Sequence, residues 1–594
     1  MKNAQPLDLA LIGNCRVAAL VDPQARIVWW CFPRFDGDPV FSRLLAGDEE
    51  KGFCDVVMHG RASCRSAYAR NTAVLETFLE DEHGGIVKIT DFMPRFGRYE
   101  RVFRPPQLVR RIEPVAGLPR VAIRVRPTFN YGQKPAQVVI GSNHIRYIGD
   151  RDVLRLTSDA PLSFIQGETM FALTRPVTLV FGVDEPFLSD IDSTAKDFET
   201  RPRAYWLEWS RTLGVPFEWQ SETIRSAITL KLCSFEETGA IIAAHTTSVP
   251  EAPGTMRNWD YRFCWLRDAF FVVAALNRLG ATQTMESYIN YLTTAVADPD
   301  GMLSPLHSIV PGEPLDEHVA ADLQGYRGQG PVRIGNAAAE QAQHDVYGSV
   351  VLGAKQMFVD HRLPKMGDEA LFRRLEQLGE RAAALALTPD AGIWEYRGRQ
   401  RIHTHSVAMC WAGCNRLAAI AGQLGHAESA AHWNAVADRL HATMMERAWN
   451  ESRSAFTASF GGEDLDASVL LLHELGAIDA DDPRFVSTVK ATERELVRGN
   501  HVLRYASPDD FGVPEGEFLI CRFWLIDAWW ALGRKQDARD LFADAMRYRN
   551  RYGLLAEHVH IQTGALWGNF PQTYSMVGLI VAAMRLSTSW EKAR

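Results

Sequence analysis

The sequence lacks any apolar run long enough for a bilayer. Its longest late one, around Ala269–Leu276, is far shorter than a membrane-spanning helix requires. At the N-terminus Lys2 is followed only by the brief apolar run Leu7–Ile12. A secretory leader wants a longer apolar region and a small-residue cleavage site, so a cytoplasmic protein is expected. No Lys/Arg block and no basic amphipathic helix are present, and the net charge of −8 is mild and scattered. Neither nucleic acid nor a membrane surface is therefore expected as a partner. Cysteine is scarce: nine residues, an odd number without metal-ligand spacing, read as buried free thiols in a reducing compartment. Cys410 and Cys414 fall at helical spacing and read as core. His344, His403 and His405 share no ligand spacing with a third residue, so no zinc and no other cofactor is expected.

At 594 residues the chain exceeds one ordinary core. The first third has the period of β-structure. Arg16–Leu20 and Ile27–Cys31 flank the turn D-P-Q-A-R and form a hairpin. Val74–Leu79 and Val87–Phe92 flank H-G-G, and Leu108–Ile112 and Val121–Val125 flank P-V-A-G-L-P. Val153–Leu156, Leu162–Gln166, Met170–Leu173 and Val177–Val183 are further strand candidates. Short strands separated by turns predict an antiparallel β-sandwich. The cluster Trp29-Trp30-Cys31-Phe32 reads either as its core or as a cap on a neighbouring domain.

From about Ser221 the period lengthens to nearly four, and twelve helical stretches follow, from 221–237 to 571–588. Twelve helices without intervening strands fit six helical hairpins closed into a double ring. The fold class is thus α+β and multidomain: a β-sandwich over 1–215, a linker and first helix over 216–260, and a helical barrel over 261–594. The long non-helical pieces Thr238–Trp259, Asp298–Gly335 and Gly499–Glu515 exceed plain connectors and are expected to wall a pocket. An exposed sandwich face could pair two copies into a homo-oligomer.

Two glutamates stand in loops where neither a helical stripe nor an i,i+4 charge pair accounts for them: Glu395 in G-I-W-E-Y-R and Glu557 in L-L-A-E-H-V. Cleaving an acetal between two sugars needs a proton for the leaving oxygen and either a nucleophile or an activated water, which paired carboxyls supply. Ile393 and Trp394 offer Glu395 the apolar surroundings that keep an acid protonated. Glu557, beside His558 and His560, suits an ionised base. In Arg257-Asn-Trp-Asp-Tyr-Arg-Phe-Cys-Trp-Leu-Arg-Asp268, Arg267 and Asp268 place a fork of donors beside an acceptor, as sugar hydroxyls require. Trp259 and the other aromatics there offer flat faces for sugar C–H groups, with Asp260 among them. The dense loop Gly325–Asn336 contributes Tyr326, Arg327 and Arg333 as candidates for a polar wall; it lacks the Lys-Ser/Thr pair of a phosphate loop.

Taken in order, W-W-C-F-P-R-F-D, N-W-D-Y-R-F-C-W-L-R-D, G-Y-R-G-x-x-P-V-R-I-G-N-A, G-I-W-E-x-R, T-H-S, L-L-A-E and G-N-F-P-Q-x-Y-S resemble glycoside hydrolase family 15, the glucoamylase, glucodextranase and trehalase family. The resemblance implies a β-sandwich followed by an (α/α)6 barrel. It implies Glu395 as general acid, Glu557 as the base that activates water, and inversion that releases β-glucose from α-linked substrates. Arg267 and Asp268 would grip the far hydroxyls of the terminal glucose, and Trp394 would line the same site. The chain departs from the fungal L-W-E-E pattern by carrying Tyr396 after Glu395. The leading expectation is a glucoamylase-like exo-α-glucosidase acting on a small α-glucan or disaccharide, with trehalase as the alternative. A glycoside phosphorylase and a non-catalytic sugar-binding protein are the readings from other classes. Inversion calls for carboxyl groups about 6.5–9.5 Å apart, with water between them.

Overall fold

The computed structural model describes residues 7–187, 189–295 and 302–593. Residues Asp298–Gly301 of the second long non-helical piece, and the last two residues predicted for the helix over 282–297, lie outside them.

Two antiparallel sheets form the N-terminal layer. The seven-stranded sheet runs Ala10–Gly13, Ala18–Val21, Ile27–Phe32, Phe53–Met58, Arg120–Arg126 and Phe171–Ala172, with Asp38–Phe41 on the third. The eight-stranded sheet runs Gln137–Ile140, His144–Ile148, Val153–Ser158, Val177–Gly182, Leu108–Ala116, Ile86–Phe92, Leu75–Asp81 and Arg61–Tyr68. Alternation along Leu75–Asp81 sends Leu75, Thr77 and Leu79 inward. The expected D-P-Q-A-R hairpin forms, with Ala19 opposite Trp30. Leu108–Ala116 and Arg120–Arg126, though adjacent in sequence, enter opposite sheets, so the turn between them crosses from one layer to the other. Leu162–Gln166 is a helix, not a strand. Pro161 ahead of it offers no amide for a ladder, and only Ile165 of the five is buried. The 21-residue helix Ile191–Arg211, capped by Asp190, was not anticipated, because its charge-rich sequence and Pro202 mask its period.

The barrel helices are α1 (Gln220–Leu232), α2 (Leu266–Arg278), α3 (Gln283–Ala295), α4 (Asp345–Val359), α5 (Glu369–Leu385), α6 (Thr404–Leu424), α7 (Ala427–Arg447), α8 (Leu471–Glu474), α9 (Pro483–Leu496), α10 (Leu519–Ala531), α11 (Lys535–Ala545) and α12 (Thr573–Leu586). Each of the twelve expected stretches overlaps one of them, although the eighth is mostly the 3-10 turn Ala467–Leu470 running into α8. The even-numbered helices pack in sequence into a closed inner ring, α2 touching both α4 and α12, and the odd-numbered ones lie outside. Hydrophobicity sorts them: α10 and α12 are buried nearly all round, whereas α5 and α9 show one apolar face to the ring and charge to solvent. Helices α4 and α6 cross so closely that a Cβ on Gly348 would lie 2.0 Å from the Met409 carbonyl oxygen.

The sandwich is built into the barrel. Trp29 Nε1 donates to the His245 carbonyl at 2.8 Å, and the Phe35 ring meets the His245 ring edge-on at 4.8 Å. Arg95 reaches from the sandwich to Glu236, which Lys231 of α1 also contacts. The Trp29–Phe32 cluster is thus both core and docking surface.

Candidate active site

The residues just ahead of three inner-helix N-termini meet at one cavity. Trp265 precedes α2, Phe518 precedes α10 and Gln572 precedes α12. They line this cavity together with Glu395, from the loop between α5 and α6, and Glu557, from the loop between α11 and α12.

Glu395 sits in a tight turn. Its amide donates to the Gly392 carbonyl at 3.1 Å and its φ is +58°, a left-handed value that costs a non-glycine residue energy. Trp265 Nε1 donates to Glu395 Oε1 at 2.6 Å, and Arg267 Nη2 lies 3.5 Å from the same oxygen. Glu557 precedes the strand His558–His560 of a three-stranded sheet with Gly516–Phe518 and Leu566–Trp567. Tyr261 donates its hydroxyl to Glu557 Oε1 at 2.7 Å, and the Asn569 amide lies 3.4 Å from Oε2. Gly568 approaches so nearly that a Cβ there would lie 2.7 Å from Glu557 Cβ. The rings of Tyr261 and Trp265 pack edge to face at 5.2 Å, so one aromatic pair steadies both carboxylates. Apolar shielding runs opposite to the sequence expectation: the Glu395 side chain is 22% exposed and that of Glu557 only 2%.

Arg267 and Asp268, in the first turn of α2, line the cavity, with Arg267 Nε and Asp268 Oδ1 paired at 3.4 Å but making no hydrogen bond. Burial pushes the Asp268 carboxyl up to about 6, against the pull of Arg267 and with Glu395 and Glu557 adding to the rise. Tyr574 lines the same cavity, and its buried hydroxyl has no hydrogen-bond partner. Trp394 lines the cavity with its Nε1 fixed on Asp466 Oδ2 at 2.7 Å. Trp259 forms part of the mouth, with the Arg397 and Arg333 guanidinium groups 4.2 and 5.0 Å from its ring centre and Phe511 against its edge.

Four candidates from the sequence lie elsewhere. Asp260 is fully buried and accepts two bonds from the Arg262 guanidinium, which also donates to the Gly37 carbonyl and the Tyr131 hydroxyl of the sandwich. It is a brace between domains. Arg333 stands behind Trp259, fixed by Glu317 and the Asn258 carbonyl. Tyr326 and Arg327 line a different groove, beside Leu7 and Leu44, because the Gly325 amide ties their turn to the Leu45 carbonyl. Conversely, Glu251, Arg257, Arg504 and Asp509 line the cavity as the pairs Glu251–Arg504 and Arg257–Asp509, and sequence reading did not select them. The partners of each pair lie some 250 positions apart, a separation no local pattern reveals.

Among the described residues, Glu251, Glu557 and His558 are the one group of acidic, histidine or cysteine side chains close enough to share an ion, with ligand atoms within 4.8 Å. Arg504 already holds Glu251 at 2.8 Å and Tyr261 holds Glu557, whereas His558 Nδ1 has no hydrogen-bond partner. All nine cysteines are free, and Cys64 is the one not fully buried. No helix among the described residues is long and apolar enough to cross a membrane.

A double helical ring whose mouth holds two acidic side chains amid aromatics and arginines defines a glycoside hydrolase. The chain belongs to glycosyl hydrolases family 15, whose model matches residues 220–535, while residues 2–172 match the trehalase-like N-terminal model. A trehalase from Thermoplasma volcanium is 30% identical over 97% of this chain and 92% of its own length. One from Mycobacterium tuberculosis is 30% identical over 99% and 90%. A Clostridium glucoamylase is 23% identical over 65% of this chain and 57% of its own length. The crystal structure of a bacterial glucoamylase complexed with acarbose has the same fold, with a TM-score of 0.67 at 15% identity over 97% of this chain and 93% of that one.

Proposed function

We propose that the protein hydrolyses trehalose to two glucose molecules with inversion at the attacked carbon. The observation that carries the chemistry is that Glu395 and Glu557 line one cavity, each fixed by one member of the Tyr261–Trp265 pair. Glu395 is the acid: with Oε1 occupied by the Trp265 N–H, its proton sits on Oε2 and passes to the glycosidic oxygen as the bond breaks. Glu557, an acceptor for Tyr261 on Oε1, takes a proton from the water that attacks the anomeric carbon. Arg267 and Asp268 bind the hydroxyls of the glucose under attack. Trp394 offers it an apolar wall, and Trp259, Arg397 and Phe511 border the side where the second glucose leaves.

The sequence favoured a glucoamylase-like substrate over trehalose. Relatives named trehalase, similar along nearly the whole chain including the sandwich, reverse that order, since the glucoamylase relative matches only part of it. Proton NMR on fresh digests of trehalose, maltose, isomaltose and dextran tests the reading. Trehalose should be cleaved fastest and should give one β- and one α-glucose at first, since only one anomeric carbon is attacked. Release of α-glucose alone would rule out inversion, and faster cleavage of maltose would restore the glucoamylase-like substrate.

A further inference from the structure

Arg267 is shared among three carboxylates. Its Nε lies 3.4 Å from Asp268 Oδ1, its Nη1 3.6 Å from Asp345 Oδ2 and its Nη2 3.5 Å from Glu395 Oε1, while Nη1 also donates to Gln343 Oε1 at 3.1 Å. Two of these carboxylates line the cavity; Asp345 does not. It opens α4, fully buried, and neither of its oxygens accepts a hydrogen bond at normal geometry. A carboxylate buried on those terms is costly, and the amides of its helix N-terminus offset only part of the cost.

The groups facing it show why such a residue is useful. His344 lies just ahead of its helix, Cys410 on α6, Asp390 in the loop before α6, Arg267 and Asp268 on α2, and Tyr574 on α12, with Glu395 and Glu557 lining the cavity; His405, also on α6, faces Arg267. Burial, reinforced by Arg267, pushes His405 down to about 3, so that imidazole is neutral. Burial also holds the Cys410 thiol up, and it too is neutral. Among the described residues, Asp345 is then the one acidic partner Arg267 has outside the cavity. To bind sugar hydroxyls, Arg267 must stand beside Glu395, where an uncompensated guanidinium would favour the ionised form of the acid.

We propose that Asp345 is a positioning residue for proton transfer: it draws the charge of Arg267 away from Glu395, so that Glu395 keeps the proton it must deliver. This inference rests on the reading of Glu395 as the acid. Asp345→Asn preserves shape and removes the charge. In the kcat/KM–pH profile for trehalose, the alkaline limb should move to lower pH by about half a unit or more. Asp345→Glu should bring it back. With α-glucosyl fluoride, whose leaving group needs little protonation, Asp345→Asn should stay within about threefold of the parent. An unmoved limb, or equal losses on both substrates, would overturn the proposal. Should Asp345→Asn fail to fold, Gln343→Glu places a new carboxylate on the same Nη1 and should raise the limb; a limb that stays or falls overturns the proposal equally. Glu395→Gln in the same assays separates the two failures. Sparing of the fluoride upholds Glu395 as the acid, whereas equal loss on both substrates removes that reading and this inference with it.

Discussion

The two pocket glutamates are mounted in opposite ways. Glu395 hangs from a strained, partly exposed turn, steadied at a distance by Asp510, which accepts from the Arg397 amide at 2.7 Å and the Gly398 amide at 3.1 Å. Glu557 stands at the head of a strand, almost wholly buried, with the Gly568 backbone pressed against its Cβ. The difference fits the two tasks proposed for them. An acid must be re-protonated from solvent after every turnover, whereas a base must hold one water in one place. Exchange with solvent calls for exposure, and placement calls for packing.

Erasing both carboxyls in turn has the largest effect. Glu395→Gln and Glu557→Gln should each lower trehalose turnover by about 10²–10⁴-fold. Added phosphate should not rescue Glu557→Gln; phosphate-dependent turnover would mark a phosphorylase. Next comes the packed mount. Gly568→Ala places a methyl 2.8 Å from Glu557 Oε2 at a backbone with φ of +77°. Turnover should fall by about 10–100-fold with little change in KM, as expected when a reacting group shifts by a fraction of an ångström. The turn should be more forgiving. Asp510→Ala frees the Arg397 and Gly398 amides, and kcat/KM should drop by about tenfold or less with the melting temperature nearly unchanged. A larger loss for Asp510→Ala than for Gly568→Ala would erase the distinction between the two mounts.

The smallest effect lies remote from both mounts. Burial would raise the Glu236 carboxyl, but Lys231 and Arg95 outweigh it and hold it at about 2, below its ordinary 4.5. A lowered folded-state value means stability that is present above about pH 4.5 and lost as pH falls towards 2. That contribution is on the order of 2 kcal/mol. Urea melts between pH 6 and pH 3 should show a shallower pH dependence for Glu236→Gln than for the parent, with turnover at pH 7 little changed.

The periods of two and of nearly four in the sequence reflect which side of each element meets apolar neighbours, and that is why the sandwich and all twelve helices could be located. The motif Arg257–Asp268 could be picked out because its aromatics and charges are adjacent in the chain. It did not disclose that Tyr261 and Trp265 act through their polar edges, since a hydroxyl or indole N–H shows its partner only when the chain has folded. Tyr326 and Arg327 misled for the reverse reason: a loop dense in glycine and arginine looks the same in sequence whether it faces a pocket or a domain boundary. Glu251 and Arg504 carry no local mark at all, being defined by one another across the barrel.

The indole of Trp29 holding the His245 carbonyl makes the sandwich a scaffold for the segment that carries Glu251 and Trp259 into the cavity. Cutting the chain before α1 would therefore strip one wall of the cavity of its support, leaving a barrel that lacks the buttress for its own entrance. Anyone grafting this barrel onto another N-terminal module must graft the tryptophan face with it.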